Sequence, residues 1–215
     1  MIFSINLIMT IRSKKDLEVF LSKLKNFEQP SLELEQYPTP NHIAAAWLWE
    51  MALKGEVAGK TILDAASGPG ILGIGLLMMG AKKVFFVDKD KFAMDICIEN
   101  YNQVKSKYEI GEAEFIVEDI SLFDAEVDLV VQNPPFGTKE KHADKKFLEK
   151  AFSLTPLVYS MHKFSTKEFV EAISRDFKFK ITEVSRFEFP IKASFSFHKK
   201  PVRKIDVGLW RMEKE

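Results

Sequence analysis

The sequence predicts an α/β domain built on a largely parallel sheet with helices on both faces. Two observations carry that expectation. Short apolar runs alternate with stretches of helical periodicity from residue 61 to residue 174. The runs are also apolar almost throughout, as strands buried on both faces must be.

The elements follow in order. Ser13 is placed to cap a helix over 13–27, in which Leu17, Phe20, Leu21 and Leu24 recur at helical spacing. The segment Glu35-Gln-Tyr-Pro-Thr-Pro-Asn41 cannot be helix interior, because Pro38 and Pro40 lack amide donors and hold their predecessors extended. A helix over 43–53 ends near Gly55. Strands are predicted at 61–65, 83–87, 113–117, 127–132 and 157–161, with helices at 71–79, 91–104, 144–153 and 165–174. From Asp176 two strand-like runs, 177–189 and 202–212, read as closing antiparallel strands joined by a polar loop. Residues 1–55 are read as a helical extension and 56–215 as the main domain, together one structural unit.

Composition narrows the function classes. A chain of 215 residues with 46% hydrophobic and 29% charged residues is neither a disordered tail nor a membrane bundle. The apolar opening 1–11 is too short to span a bilayer and lacks a signal-peptide pattern. A single cysteine, Cys97, excludes an intrachain disulfide framework, so a reducing, cytoplasmic setting is expected (nuclear also, in a eukaryote). Lys+Arg and Asp+Glu each number 31, so any basic surface must be local. His42, His142, His162 and His198 show no metal-ligand spacing, and no metal is expected.

Three features point to a nucleoside cofactor. Asp64-Ala-Ala-Ser-Gly68-Pro-Gly70 joins the first strand to its helix, where small residues let a ligand approach the backbone. Asp88 ends the second strand, placed to accept hydrogen bonds from a ribose diol. Asp119 and Ile120 follow the third strand, an acid for an exocyclic amine and an apolar cover for a purine face. Neither GxGxxG nor GxxxxGK[ST] is present.

After the fourth strand comes Asn133-Pro134-Pro135-Phe136. Two prolines stiffen the turn and remove amide donors, leaving carbonyl groups to face outward. The Asn133 side-chain carbonyl and the Pro134 backbone carbonyl could grip both hydrogens of an NH2 group. That grip pulls the nitrogen lone pair out of conjugation and aims it at an electrophile. Phe136 offers a stacking face, and no titrating base is needed.

These residues resemble the class I S-adenosylmethionine-dependent methyltransferases that modify amino groups. The segments 34–40 (LEQYPTP), 133–139 (NPPFGTK) and 159–163 (YSMHK) further resemble the small-subunit ribosomal RNA adenine-N6 methyltransferases of the methyltransferase-like group in archaea and eukaryotes. The resemblance implies a Rossmann-like seven-stranded, mostly parallel sheet with an antiparallel C-terminal strand. It implies S-adenosylmethionine as methyl donor and S-adenosylhomocysteine as product. Gln36, Tyr37 and Thr39 would cover the cofactor, and Asp64, Ala66, Gly68, Pro69 and Ile71 would surround its methionine part. Asp88 would take the ribose, and Asp119 with Ile120 the adenine. The family's turn starts Asp-Leu-Gly-Cys-Gly, so Ala66 stands where glycine is usual and serves if its φ is negative.

Basic residues flank the proposed pocket: Lys139, Lys141, Lys145 and Lys146, and then Lys199, Lys200 and Arg203 with Phe195 and Phe197 among them. They are candidate RNA contacts. The resemblance also implies a small zinc-binding activator subunit, paired along a sheet edge at Ala113–Val117. Two other readings stay open: a protein glutamine amide or guanine N2 as acceptor, and a catalytically silent RNA-binding subunit.

Overall fold

The computed structural model describes residues 11–28, 30–31, 33–136, 143–192 and 202–215. Helices α1 (Lys14–Leu21) and α2 (Asn41–Leu53) precede strand β1 (Thr61–Ala65). Alternation follows: α3 (Ile71–Met78), β2 (Lys83–Asp88), α4 (Lys91–Lys105), β3 (Glu112–Val117), β4 (Leu129–Gln132), α5 (Ala143–Leu154), β5 (Leu157–Lys163) and α6 (Lys167–Asp176). A long hairpin of β6 (Phe179–Lys192) and β7 (Val202–Lys214) closes the chain.

The seven strands form one sheet in the order β3-β2-β1-β4-β5-β7-β6. Strands β1 to β5 pair in parallel, β7 runs antiparallel to β5, and β6 runs antiparallel to β7. The expected architecture therefore holds, with β7 as the reversed strand.

Local details follow from the residues. The Ser13 side chain accepts from the Asp16 amide and caps α1, but the helix ends at Leu21, well short of residue 27. Helix α2 starts from Pro40, whose carbonyl accepts the amides of Ile43 and Ala44. No α-helix joins β3 to β4; a 3-10 turn at Ile120–Leu122 and a loop make the crossing. A 3-10 turn at Phe164–Thr166 likewise delays α6 to Lys167.

Two apolar layers sandwich the sheet. On one face Leu17, Leu21, Leu48, Met51, Ile74 and Phe86 pack from α1, α2, α3 and β2. On the other, Leu63, Val130, Leu148, Phe152, Ile173 and Trp210 join β1, β4, α5, α6 and β7. Helices α1 and α2 thus share the core of the sheet's first face. The strand order reverses between β1 and β4, and open sheets bind ligands in the crevice at such a point.

Candidate active site

A cavity opens at the carboxyl ends of β1, β2 and β4. Every cofactor and catalytic candidate read from the sequence lines it, from Gln36, Tyr37 and Thr39 through Asp64, Ala66, Gly68, Pro69 and Ile71 to Asp88, Asp119 and Ile120, and the turn Asn133–Phe136.

The glycine turn is held from several sides. Ala66, Gly68 and Gly70 have φ of 57°, 51° and 81°, so the chain is left-handed at alternate residues. The condition of a negative φ at Ala66 is not met: the alanine takes the left-handed conformation open to the usual glycine, and it still lines the cavity. An alanine there is strained by about 1–2 kcal/mol relative to the right-handed region. The surrounding bonds impose that strain: Ser67 N–H donates to Val87 O, Gly68 N–H to Asp88 Oδ2 at 2.8 Å, and Gly70 N–H to Ser67 O. Asn100, fully buried on α4, donates to Pro69 O and Lys25 O and accepts from Lys25 N–H. Nothing in the sequence marks Asn100 as a clamp. Phe27 covers the turn from above, and a Cβ on Gly68 would lie 2.7 Å from its ring.

The acids differ in state. Asp64 is 1% exposed and accepts from Gly73 N–H at 2.8 Å. Burial raises its pKa to about 8, opposed by that amide and assisted by the nearby Asp88. Asp88 is also raised by burial, opposed by the amides of Asp90 and Gly68 that it accepts. Each of its oxygens keeps a second lone pair for a ligand. Asp90 instead caps α4 by accepting from Phe92 N–H. Asp119 is lowered to about 2, first by the Ser121 amide and then by Lys146, whose Nζ lies 2.9 Å from Oδ2.

The segment before α2 is stitched to both halves of the cavity. The Gln36 amide donates to Asp90 Oδ2 at 2.6 Å and accepts from Ser31 N–H at 2.8 Å. Thr39 Oγ1 accepts from Asn133 Nδ2 at 2.9 Å. Among the described residues, buried Asn133 Oδ1 has no hydrogen-bond partner. The buried Ser67 hydroxyl, also on the cavity wall, has none either. Phe136 is 6% exposed and meets Phe189 edge-on, with ring centroids 6.1 Å apart.

Of the basic candidates, Lys146 lines the cavity against Asp119, and Lys145 lies on α5 beside Glu149 at 3.5 Å. Lys139, Lys141, Lys199 and Lys200 lie outside the described residues, as does the side chain of Arg203. Strand β3 is a sheet edge, where the partner was expected. Among the described residues no group of three or more His, Cys, Asp or Glu could hold a metal ion, and no helix is long and apolar enough to cross a membrane.

A glycine turn and acids at the strand ends around this cavity, on a sheet of this order, have the layout of a class I methyltransferase, the class that takes its methyl group from S-adenosylmethionine. The methyltransferase small domain model matches residues 44–155. The rRNA N6-adenosine-methyltransferase METTL5 of Danio rerio is 33% identical over 204 residues, covering 92% of this chain and 97% of that protein. The rRNA N6-adenosine-methyltransferase Mettl5 of Drosophila melanogaster is 34% identical over 207 residues, covering 93% of this chain and 95% of that protein. A solved Pyrococcus horikoshii structure, described as a candidate RNA methyltransferase, superposes with a TM-score of 0.86 at 39% identity, covering 95% of this chain and 99% of that one. The chain belongs to the methyltransferase small-domain family and, within it, groups with these rRNA N6-adenosine methyltransferases.

Proposed function

We propose that the protein transfers a methyl group from S-adenosylmethionine to the exocyclic N6 of an adenine in small-subunit ribosomal RNA. The observation that carries this reading is Asn133 Oδ1, a buried acceptor without a partner at the cavity wall, held in orientation by Thr39. A buried carbonyl oxygen left unmatched costs about 1–3 kcal/mol, and an amine donor would recover it.

The residues present fit the cofactor. The Ser67 hydroxyl is buried and unmatched on the same wall, and Asp88 keeps lone pairs beyond its two amide bonds. Asp64, Ala66, Gly68, Pro69 and Ile71 would hold the methionine end, Asp88 the ribose, and Asp119 with Ile120 the adenine. Gln36 and Tyr37 would cover the ligand. S-adenosylmethionine bound there supplies an electrophilic methyl group on a sulfonium.

The chain's own groups do the rest. Asn133 Oδ1 accepts one hydrogen of the target amine and the Pro134 carbonyl the other, which draws the nitrogen lone pair out of conjugation with the ring. Phe136 stacks on the base, taken out of its helix to reach the pocket. Pro135 holds the turn rigid. The nitrogen would bond to the methyl carbon as that carbon's bond to sulfur breaks, with S-adenosylhomocysteine leaving, and would then lose a proton to solvent, so the step draws on neither a titrating base nor a metal.

Relatives named as rRNA N6-adenosine methyltransferases favour adenine over glutamine amide and guanine N2. We further propose that the basic flanks, Lys139 to Lys146 and Lys199 to Arg203, bear the RNA backbone, and that the β3 edge pairs with a small zinc-binding activator. In support, Phe115 and Ile116 on β3 are incompletely buried and Val117 is exposed, an edge of the kind that invites strand addition. A cytoplasmic setting suits this RNA acceptor and the single buried thiol of Cys97.

The test is transfer of labelled methyl to deproteinised small-subunit RNA, with nucleoside digestion, with and without a co-purified partner. Label in N6-methyladenosine supports the reading. Label in N2-methylguanosine, or in protein alone, overturns the adenine assignment.

A further inference from the structure

The segment Tyr159-Ser-Met-His-Lys163 carries two side chains, Ser160 and His162, that the proposed reaction leaves without a part. Both are fully buried on one face of β5, two residues apart. Gln132 Nε2 donates to Ser160 Oγ at 3.0 Å, Ser160 Oγ lies 2.7 Å from His162 Nε2, and His162 Nδ1 lies 3.2 Å from Asp144 Oδ2. With Gln132 Nε2 donating to its oxygen, Ser160 is free to pass its own hydrogen to His162 Nε2, an arrangement in which the imidazole proton sits on Nδ1 and faces Asp144.

The order Ser–His–Asp matches a nucleophile triad, but the surroundings do not. Ser160 and His162 are 0% exposed and Asp144 5%, and none of the three lines the cavity. No substrate reaches that hydroxyl. Stability is also a poor reason for the chain, since replacing matched buried polar groups by apolar ones of similar shape is often neutral. The chain even leaves Gln132 Oε1 without a partner among the described residues.

Its ends indicate its use. Gln132 immediately precedes Asn133, and Asp144, the second residue of α5, is the next ionisable residue described after the turn. One chain anchored on β5 therefore ties the residue before Asn133 to the start of α5. We infer that Gln132, Ser160, His162 and Asp144 are positioning residues that fix the aim of Asn133. This inference rests on the role given to Asn133 above. A displacement of about 1 Å at a reacting group can cost 10²-fold in rate.

The experiment compares wild type with His162→Leu, Asp144→Asn and Ser160→Ala. It reads single-turnover methylation of small-subunit RNA, cofactor Kd, and amide hydrogen exchange. His162→Leu should lower the rate roughly 10–100-fold while cofactor Kd stays within about twofold. Asp144→Asn keeps an oxygen for the Nδ1 proton and should retain the rate within about threefold. Exchange should accelerate in the peptide holding Gln132–Phe136 and not in Asp64–Gly73. If His162→Leu does not fold, Ser160→Ala, which removes one buried oxygen, must show the same split. A folded His162→Leu or Ser160→Ala with full rate and unchanged exchange overturns the inference, as does an effect confined to cofactor Kd. A wild type that labels no RNA refutes the proposed function, and the exchange comparison then decides the positioning role alone.

Discussion

The two halves of the cavity are built on opposite principles. On the donor side the polar groups are largely engaged with the protein: Asp88 with two amides, Asp64 with Gly73, Asn100 with Pro69. On the acceptor side a single oxygen, Asn133 Oδ1, is buried and unmatched, while the other end of its amide is fixed by Thr39. The donor side is thus a largely preformed surface over which the binding contacts are spread among several groups. The acceptor side concentrates its chemistry in one atom, so function there should fail abruptly.

Four experiments press on that contrast. The largest effect belongs to Asn133→Ala, which should lower kcat about 10²–10³-fold, the scale for losing one preorganised polar group at a reacting centre. Cofactor affinity measured by calorimetry should stay within about twofold. Next, Asp88→Ala removes a charged acceptor that organises Gly68 and Asp90 and should weaken cofactor binding by roughly 10–100-fold, on a scale of about 1.5–3 kcal/mol for a hydrogen bond to a charge. An Asp88→Ala protein with wild-type cofactor affinity would remove the ribose assignment. Thr39→Val should lower kcat about tenfold by releasing the Asn133 amide, whereas Thr39→Ser, which keeps the hydroxyl, should not. The smallest change is Ala66→Gly. Relief of about 1–2 kcal/mol of left-handed strain outweighs the added chain entropy of about 0.4–1 kcal/mol, so thermal stability should rise slightly.

The donor side also makes a pH prediction. Asp64 has its pKa raised from 3.8 to about 8, so between those values the folded form holds a proton that the unfolded chain has lost. Asp64 therefore makes stability decline with rising pH across that window, by at most about 1.4 kcal/mol per unit, and its contribution levels above it. Denaturant titrations of the cofactor-free protein at several pH values should show the decline, and Asp64→Asn should make it shallower, leaving the part due to Asp88.

The two halves also differ in how far the sequence exposes them. Donor-side residues are legible because each sits at the carboxyl end of its own strand: Asp64 and Asp88 within the last two residues of β1 and β2, Asp119 two residues past β3. The NPPF turn is legible for the same reason, since prolines after a buried strand have few structural uses. What escapes is whatever depends on distant pairing. Thr39 and Asn133 are 94 positions apart and Gln36 and Asp90 are 54, and no local pattern announces either bond. Asn100 reads as an ordinary helix residue until α4 docks it against Pro69. Lys146 reads as one of a basic run, yet the start of α5 turns it onto Asp119. The sign of φ at Ala66 is likewise set by neighbouring hydrogen bonds rather than by the alanine.

The most direct test of the central claim compares Asn133→Asp with Asn133→Leu in single-turnover methylation at saturating S-adenosylmethionine. A carboxylate still offers an oxygen to the amine and can accept from the Thr39 hydroxyl, whereas leucine offers neither. If the oxygen of residue 133 grips the acceptor nitrogen, the aspartate variant retains measurable transfer to N6 of adenine and the leucine variant loses it. Equal rates in the two variants, both near wild type, would contradict that role.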